Sequence, residues 1–262
     1  MKTANPDRRV CATTGLALVP SRGEAAFRIA KESYGPLNPL VRQPNDDRGK
    51  WGRYDVLGHR TIYAGTPETG AYAESLAFAK PEIDIELSEL FDDEDYFGSV
   101  LDEVTKEWAD RDHMTPGQVA AVWRNERKIH DLVLPSSGWF VDIEAAESIS
   151  AITENMKSHL AIAGVRKLTT ANLRGENRSL TTGIAEWIHK QVLDDGSLPL
   201  GIAYGSKHDS AWTNWAVWLR AIDDGKDESA EPTRVISAEP IEEPSVNEPL
   251  RKVCGLFGLT CH

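Results

Sequence analysis

The sequence predicts an α+β domain, and three observations lead to that fold class. Candidate strands and helices are interspersed along the 262 residues, but they lack the regular spacing of repeated βαβ units. No candidate strand is followed by a glycine-rich GxGxxG turn, so a doubly wound dinucleotide-binding sheet is not expected. No internal repeat is apparent.

The first predicted elements are two strands and a helix. Ala25–Ala30 (AAFRIA) is a short apolar run, and Arg60–Ala64 (RTIYA) contains the β-favouring residues Thr, Ile and Tyr. Between them, residues 31–58 are rich in Pro, Gly, Asn and Arg without a sustained period, as functional or disordered loops are. The pair Thr66-Pro67 then supplies an N-cap and a first-turn residue for a helix to about residue 79.

The remaining elements follow from local patterns in the same way. Further strands are predicted at Ile83–Leu87, Trp139–Ile143, Leu200–Tyr204 and Asn214–Leu219, and residues 165–173 are predicted to be extended. Helices are predicted at about 99–111, 116–130 and 145–163, and from Thr182, after which Ile184, Ile188 and Val192 share one face.

Changes in composition divide the chain into four parts. Residues 1–22 are expected to form a partly ordered lead-in, 23–222 the main domain, 223–249 an acidic Pro-rich linker, and 250–262 an apolar C-terminal segment. The linker assignment depends on four prolines, nine acids and two bases, with almost no large apolar residues. The C-terminal segment is expected to dock back on the domain as a strand or a helix.

The composition excludes several classes of partner. The chain has 29 basic and 41 acidic residues, a net charge of −12, whereas a protein that neutralises nucleic-acid phosphates needs a basic surplus. No run of 18 apolar residues exists, so a membrane span is not expected. Three scattered cysteines are too few for a disulfide framework, and we expect a soluble, cytoplasmic, globular protein.

The spacing of metal-ligating residues predicts no metal site. The sequence has neither HExxH nor CxxC, and Cys254, Cys261 and His262 fit no common zinc pattern. Residues 92–95 are four consecutive acids, but they lack the spacing and the glycine of an EF-hand loop. A solvated face is the plainer interpretation of this acidic run.

A cationic stretch precedes the first predicted helix. Residues 21–60 hold eight bases and five acids, although the chain as a whole is acidic. Arginine suits a diphosphate, because its planar fork offers parallel donors to phosphate oxygens, and Glu74 follows on the helix as a single nearby carboxylate. Spacing alone favours the plainer interpretation, in which these arginines solvate a long loop and Glu74 lies on an exposed helix face.

Two segments of the chain, far apart in the sequence, carry the most informative pattern. The first segment reads AFRIA…GRYDVLGHRTIYAGTPETGAYAESL. The second is Glu186–Leu219, which contains DDGSLPLGIAYGSKHDSAWTNWAVW. In this order, the two segments resemble the RES domain family, which is named for its Arg, Glu and Ser. The resemblance covers about residues 24–220, interrupted by a longer middle of about 88–175. Tyr54 and Trp218 stand where the family often has Phe.

The resemblance implies an ADP-ribosyltransferase-like fold, a split mixed β-sheet core with surrounding helices at an NAD cleft. It also implies the activity of the bacterial toxins in this family, which cleave NAD⁺ at the bond between nicotinamide and ribose. NAD⁺ is then the substrate, inorganic phosphate is one acceptor, and no further cofactor is needed. An antitoxin or immunity protein is the partner that the resemblance implies.

The resemblance also assigns roles to residues at matching positions. Glu74, Arg53 and Ser206 are the implied catalytic residues. The implied NAD⁺-binding residues are Arg28, Gly52, Arg53, Tyr54, Tyr63 and Ser206. Glu74 would stabilise the positive charge that develops on the ribose as nicotinamide leaves, while the arginines hold the diphosphate. The two tyrosines would stack on a substrate ring, although a tyrosine that ends a strand, such as Tyr63, equally suits core packing.

The sequence is also compatible with three other functions. The enzyme could transfer ADP-ribose to a protein or another macromolecule, with the added middle segment recognising the acceptor. It could instead be a catalytically silent module that binds NAD⁺ or an antitoxin. The middle segment could also carry an unrelated binding function.

Overall fold

A computed structural model describes residues 7–81, 98–110, 114–219 and 233–262 of the chain. Its strands are β1 (Arg9–Val10), β2 (Ala17–Pro20), β3 (Ala25–Lys31), β4 (Arg60–Thr66), β5 (Gln118–Val119), β6 (Arg127–Val133), β7 (Trp139–Asp142), β8 (Gly201–Gly205), β9 (Thr213–Leu219), β10 (Arg234–Pro240) and β11 (Thr260–Cys261). The helices of these residues are α1 (Glu68–Leu76), α2 (Val100–Asp110), α3 (Ala121–Asn125), α4 (Ala146–Asn155), α5 (Lys157–Ile162), α6 (Thr170–Arg174), α7 (Arg178–His189) and α8 (Glu248–Phe257).

Within the described residues, nine strands form one mixed sheet in the order β1-β2-β7-β8-β9-β4-β3-β6-β10. β7 and β8 are parallel, and the other neighbouring pairs are antiparallel. β5 and β11 pair in parallel outside this sheet. The described residues thus form a mixed α/β structure, which confirms the predicted combination of a sheet with surrounding helices.

The large sheet is nearly open between β3 and β4. These two strands pair at one position, Phe27 with Gly65, whereas β3 pairs with β6 and β4 with β9 along their whole lengths. The side chain of Arg28 reaches across the gap and donates from Nη1 to the backbone oxygen of Tyr63 at 3.1 Å. Because backbone pairing stops here, side chains of both strands line a common opening.

Alternate side chains of the central strands point to opposite faces of the sheet, as period-two geometry requires. One face packs against α4–α7 through Leu18, Val141, Ile202, Ala216 and Trp218 of the sheet and Ile152, Leu173, Ile184 and Ile188 of the helices. The opposite face contributes a second apolar cluster that includes Val19, Phe140, Ala203 and Val217.

Helix α1 is held in place by the C-terminal helix. Tyr72 and Leu76 of α1 share a buried cluster with Val253 and Phe257 of α8. Asn247 caps α8 by accepting from the backbone N–H of Leu250, and its Nδ2 donates to the hydroxyl of Tyr72 at 2.8 Å. The C-terminal segment therefore docks on the domain, mainly as a helix.

The sequence places several elements correctly. The predicted strands at 25–30, 60–64, 139–143, 200–204 and 214–219 correspond to β3, β4, β7, β8 and β9, and the helix at 99–111 corresponds to α2. The helix predicted after Thr66-Pro67 is α1. Its N-cap is Pro67 rather than Thr66, whose hydroxyl bonds to the backbone oxygen of Ala25 instead.

Other predicted elements differ from the structure, wholly or in part. The helix predicted at 116–130 is replaced by β5, the short α3 and the start of β6, because residues 127–133 pair on both sides, with β3 and β10. The predicted helix at 145–163 is two helices, α4 and α5, which meet at Met156. Part of the stretch predicted to be extended forms α6. Helix α7 is capped by Asn177, and Thr182 lies within it.

Two segments with atypical composition also contribute strands. The stretch predicted as a lead-in contains β1 and β2, and Leu16, Ala17 and Leu18 are fully buried. The stretch predicted as a linker contains β10, an edge strand whose side chains are mostly exposed. The strand predicted at Ile83–Leu87 and the acidic run at 92–95 lie outside the described residues. None of the described helices is both long and apolar enough to span a membrane.

Candidate functional site

The opening between β3 and β4 forms a cleft of about 250 Å³. Its walls come from β3, β4, the turn at residues 52–53, helix α1, and the β8–β9 hairpin. The lining residues are Phe27, Arg28, Ile29, Gly52, Arg53, Tyr63, Ala64, Gly65, Ala71, Glu74, Ser75, Tyr204 and Asn214. Among the described lining residues, two arginines and one glutamate are charged, which gives this part of the lining a cationic surplus.

Glu74 is the carboxylate of the cleft, and two polar side chains hold it. Ser206 Oγ donates to Glu74 Oε1 at 2.8 Å, and Asn214 Nδ2 donates to the same oxygen at 2.7 Å. Ser206 and Asn214 are each 1% exposed, whereas Glu74 is half-buried. No described residue donates to Oε2.

The β8–β9 hairpin brings these two donors together. Tyr204 pairs with Asn214 in the antiparallel ladder, and Ser206 follows directly after β8. The backbone N–H of Ser206 donates to Trp212 O, and the backbone N–H of His208 donates to Ser206 Oγ at 3.1 Å. Because Ser206 Oγ accepts from His208, its own hydrogen is free to point at Glu74.

Arg28 lies on β3 at the gap in the sheet. Its Nη1 donates to Tyr63 O, and its Nε is buried with no hydrogen-bond partner among the described residues. Burial lowers the pKa of Arg28 to about 10, and the negative field of Asp55 is among the effects that oppose this shift. The side chain is therefore still cationic at neutral pH.

Arg53 faces the cleft from the turn before β4. It is 8% exposed, and its Nε also has no hydrogen-bond partner in the described parts of the chain. The guanidinium carbon lies 5.6 Å from the centre of the Tyr204 ring, within the range of a cation–π interaction. Burial, and then the charge of Glu74, hold the pKa of Tyr204 well above its usual range, so this ring is neutral.

Gly52 is a glycine because the Tyr63 ring occupies the space of a side chain. A Cβ at position 52 would overlap the ring and hydroxyl of Tyr63. The Tyr63 hydroxyl donates to Asp55 Oδ1 at 2.7 Å and accepts from the backbone N–H of Tyr54 at 2.9 Å. Burial, and then the charge of Asp55, raise the pKa of Tyr63 far above its usual range, so it remains a donor.

Tyr54 does not line the cleft, which corrects its predicted role in stacking on the substrate. Its side chain is fully buried, and its hydroxyl donates to Leu173 O at 3.0 Å on the helical side of the sheet. Its ring packs edge-on against Tyr204, with 4.9 Å between ring centres. Tyr54 thus supports the cleft from behind.

The structure brings most of the predicted site residues together. Arg28, Gly52, Arg53, Tyr63 and Glu74 line one cleft, and Ser206 lies beneath it, bonded to Glu74. In the parts of the chain that are described, no group of three or more His, Cys, Asp or Glu side chains could hold a metal ion.

Sequence reasoning missed three residues of the site. Asn214 and Tyr204 stand in the segment that resembles the RES family, and Asp55 follows the Gly-Arg-Tyr turn directly. The only sequence signal for Asn214 is its place in the NWAVW run. Asp55 is a single acid in a cationic stretch, and its burial could not be read from the sequence.

In comparisons with known proteins, no family model, curated protein or solved structure matches the chain.

Proposed function

We propose that this protein consumes NAD⁺ by breaking the bond between nicotinamide and ribose. The observation that carries the proposal is the arrangement of Glu74. Its Oε1 is held by two buried donors, its Oε2 receives no bond from a described residue, and two arginines line the same cleft. One fixed carboxylate beside cationic groups suits a substrate that is anionic in its diphosphate and develops positive charge at its ribose.

In the proposed reaction, the bond from the ribose carbon to the nicotinamide nitrogen breaks first. Nicotinamide leaves as a neutral molecule with the bonding electron pair, and the ribose becomes oxocarbenium-like. Glu74 stabilises that charge electrostatically, because its bonds to Ser206 and Asn214 fix the carboxylate in the cleft. An acceptor oxygen then forms the new bond to the ribose carbon and releases its proton.

The arginines serve binding in this proposal. Both Arg28 and Arg53 keep a buried Nε that has no hydrogen-bond partner among the described residues. A buried guanidinium group with an unpaired N–H is stabilised by a phosphate ligand, because the phosphate offers several acceptor oxygens. Ser206 acts through Glu74, whereas the sequence resemblance assigned it to the substrate as well.

The resemblance to the RES family supports the same function from the sequence. The near-opening of the sheet between β3 and β4 is also what the split sheet of an ADP-ribosyltransferase-like fold would require. Within this proposal the acceptor is inorganic phosphate or water, the NAD⁺ pool is that of the cytoplasm, and the protein acts as a toxin controlled by a partner protein.

The test is to incubate the purified full chain with NAD⁺, with and without inorganic phosphate, and to quantify free nicotinamide and the ADP-ribose products. We expect nicotinamide to appear in equal amount to the NAD⁺ consumed. A phosphorylated ADP-ribose in the phosphate arm identifies phosphate as the acceptor, and free ADP-ribose identifies water. Folded protein that releases no nicotinamide in either arm would refute the proposal, and label from NAD⁺ on lysate proteins would support macromolecular transfer instead.

A further inference from the structure

Asp55 is a buried carboxylate with three donors, and it lies directly behind the cleft. It is 2% exposed, although it stands in the cationic stretch of the sequence where a solvated loop was the plainer expectation. Its Oδ1 accepts from the Tyr63 hydroxyl at 2.7 Å. Its Oδ2 accepts from the backbone N–H of Gly52 at 2.7 Å and from Arg42 Nε at 2.5 Å.

These bonds connect two walls of the cleft through one side chain. Gly52 precedes Arg53 in the turn, and Tyr63 lies on β4 at the gap in the sheet. The Tyr63 hydroxyl also accepts from the N–H of Tyr54, so the turn is held at Gly52 and Tyr54, on either side of Arg53. The direction in which the Arg53 backbone presents its side chain therefore depends on Asp55.

Arg42 keeps this buried carboxylate paired without entering the cleft. Its side chain is 23% exposed, whereas that of Asp55 is 3% exposed. The backbone oxygen of Arg42 accepts from Gly58 N–H, and Arg42 bridges to Leu57, which closes the loop that contains Asp55. A buried charge that keeps its partner and its hydrogen bonds can hold a loop in one conformation.

We propose that Asp55 is a positioning residue that sets how tightly the cleft holds the diphosphate of its substrate. Asp55 acts through its bonds to Gly52 and Tyr63, which fix the turn that carries Arg53. In this proposal it contacts neither the substrate nor Glu74. This inference rests on the proposed function for its kinetic readout. It assigns Asp55 a role in substrate binding, whereas Glu74 acts in breaking the bond between nicotinamide and ribose.

The kinetic test compares Asp55→Asn with Asp47→Asn. The Asp55→Asn amide would either turn its NH₂ group toward Gly52 N–H and Arg42, which only donate, or deprive the Tyr63 hydroxyl of its acceptor, so one anchor is lost or weakened. We expect KM for NAD⁺ to rise about tenfold, with kcat within about twofold of the wild-type value. Asp47→Asn removes the same charge from an exposed position in the same loop, and both constants should remain at wild-type values.

A second variant covers the case in which Asp55→Asn does not fold. Tyr63→Phe removes one anchor and leaves the Asp55–Arg42 pair intact, and we expect KM to rise about threefold without loss of kcat. A folded Asp55→Asn protein with unchanged KM, or one in which kcat falls and KM does not rise, would overturn the inference. Unchanged KM in folded Tyr63→Phe would overturn it as well.

A measurement without NAD⁺ separates this inference from the proposed function. Amide hydrogen exchange at Gly52 and Tyr54, followed by NMR, should accelerate at least about tenfold in Asp55→Asn and stay unchanged in Asp47→Asn. If wild-type protein releases no nicotinamide but exchange accelerates, the proposed function fails and the positioning role stands. If wild-type protein is active and exchange is unchanged, the positioning role alone fails.

Discussion

Asn214 Nδ2 donates to Glu74 Oε1 at 2.7 Å and joins β9 to α1 across 140 positions of sequence. A carboxylate only accepts hydrogen bonds, so this contact fixes the amide with its nitrogen toward Glu74. Its oxygen, Oδ1, is then left buried with no donor among the described residues. A buried acceptor without a donor lowers the stability of the fold. The same arrangement of Asn214 orients the Glu74 carboxylate in the cleft.

Replacing Glu74 by Gln should abolish most of the nicotinamide release. A neutral amide cannot stabilise positive charge on the ribose, and its NH₂ group would compete with the donors of Ser206 and Asn214. We expect kcat to fall by about 10²- to 10³-fold with the melting temperature little changed. Glu68→Gln, on the same helix but outside the cleft, is the matched control and should keep wild-type activity. Comparable activity in the two variants would show that the carboxylate has been misassigned.

Replacing Asn214 by Asp should make the reaction depend on pH. Two carboxylates at hydrogen-bond distance share one proton, so the pair is fully ionised only at a raised pH. We expect the activity of Asn214→Asp to be low near neutral pH and to rise as the pH increases. Asn214→Ala, which removes the donor and adds no charge, should lose about tenfold in kcat without that rise. Parallel pH profiles for the two variants would contradict the assigned contact.

Replacing Gly52 by Ala should destabilise the protein and weaken the site together. The new methyl group would overlap the Tyr63 ring, and relieving that overlap separates the turn from β4. We expect a loss of about 1–3 kcal/mol in the free energy of unfolding, measured by denaturant titration. Gly255→Ala is the opposite control, because a Cβ there meets nothing within 4 Å in α8. That change should stabilise the protein by up to about 1 kcal/mol.

His130 should make the fold sensitive to acid. It lies opposite Arg28 in the β3–β6 ladder, and neither ring nitrogen has a partner among the described residues. Burial, and then the charges of Arg28 and Lys128, lower the pKa of His130 below 6.5. The unfolded chain then binds the proton more readily than the folded one, so stability falls as the pH drops below that value.

The measurement is the melting temperature of wild-type, His130→Gln and His262→Gln proteins at about pH 7.5 and about pH 5.5. Wild-type protein should melt at a lower temperature in acid, and His130→Gln should show a smaller decrease. His262 is exposed, so its replacement should leave the decrease as in the wild type. An equal decrease in all three proteins would exclude His130 as a source of the acid sensitivity.

Local patterns predicted the elements that carry the site. β3, β4, α1, β8 and β9 were placed within a few residues, because each is an apolar or β-branched run bounded by turn or cap residues. Residues 127–133 were predicted as helical and instead form β6. These residues form a strand because β6 pairs with β3 on one side and with β10 on the other. Both partners are distant in the sequence, so the local pattern around residues 127–133 does not reveal them.

In the candidate site, too, some features could be predicted from the sequence and others could not. The order Arg28, Arg53, Glu74 and Ser206 could be read from the chain, because it follows a resemblance in residue type and spacing. The burial of Asp55 and the orientation of the Tyr54 ring toward the core could not be read from the chain. Both depend on the neighbours that folding brings to these residues. A tyrosine in a turn has the same sequence signature whether its ring faces a cleft or a core.

By itself, the sequence determined the element types near the cleft, the cationic loop and the residue that supplies the carboxylate. Only the tertiary structure decided which donors hold that carboxylate and which walls enclose it. Asn214 reaches Glu74 because β9 pairs with β4 in one register, in which Asn214 lies opposite Gly65. A slip of one residue would turn Asn214 to the other face of the sheet, and the register is fixed by the packing of both faces rather than by any local pattern.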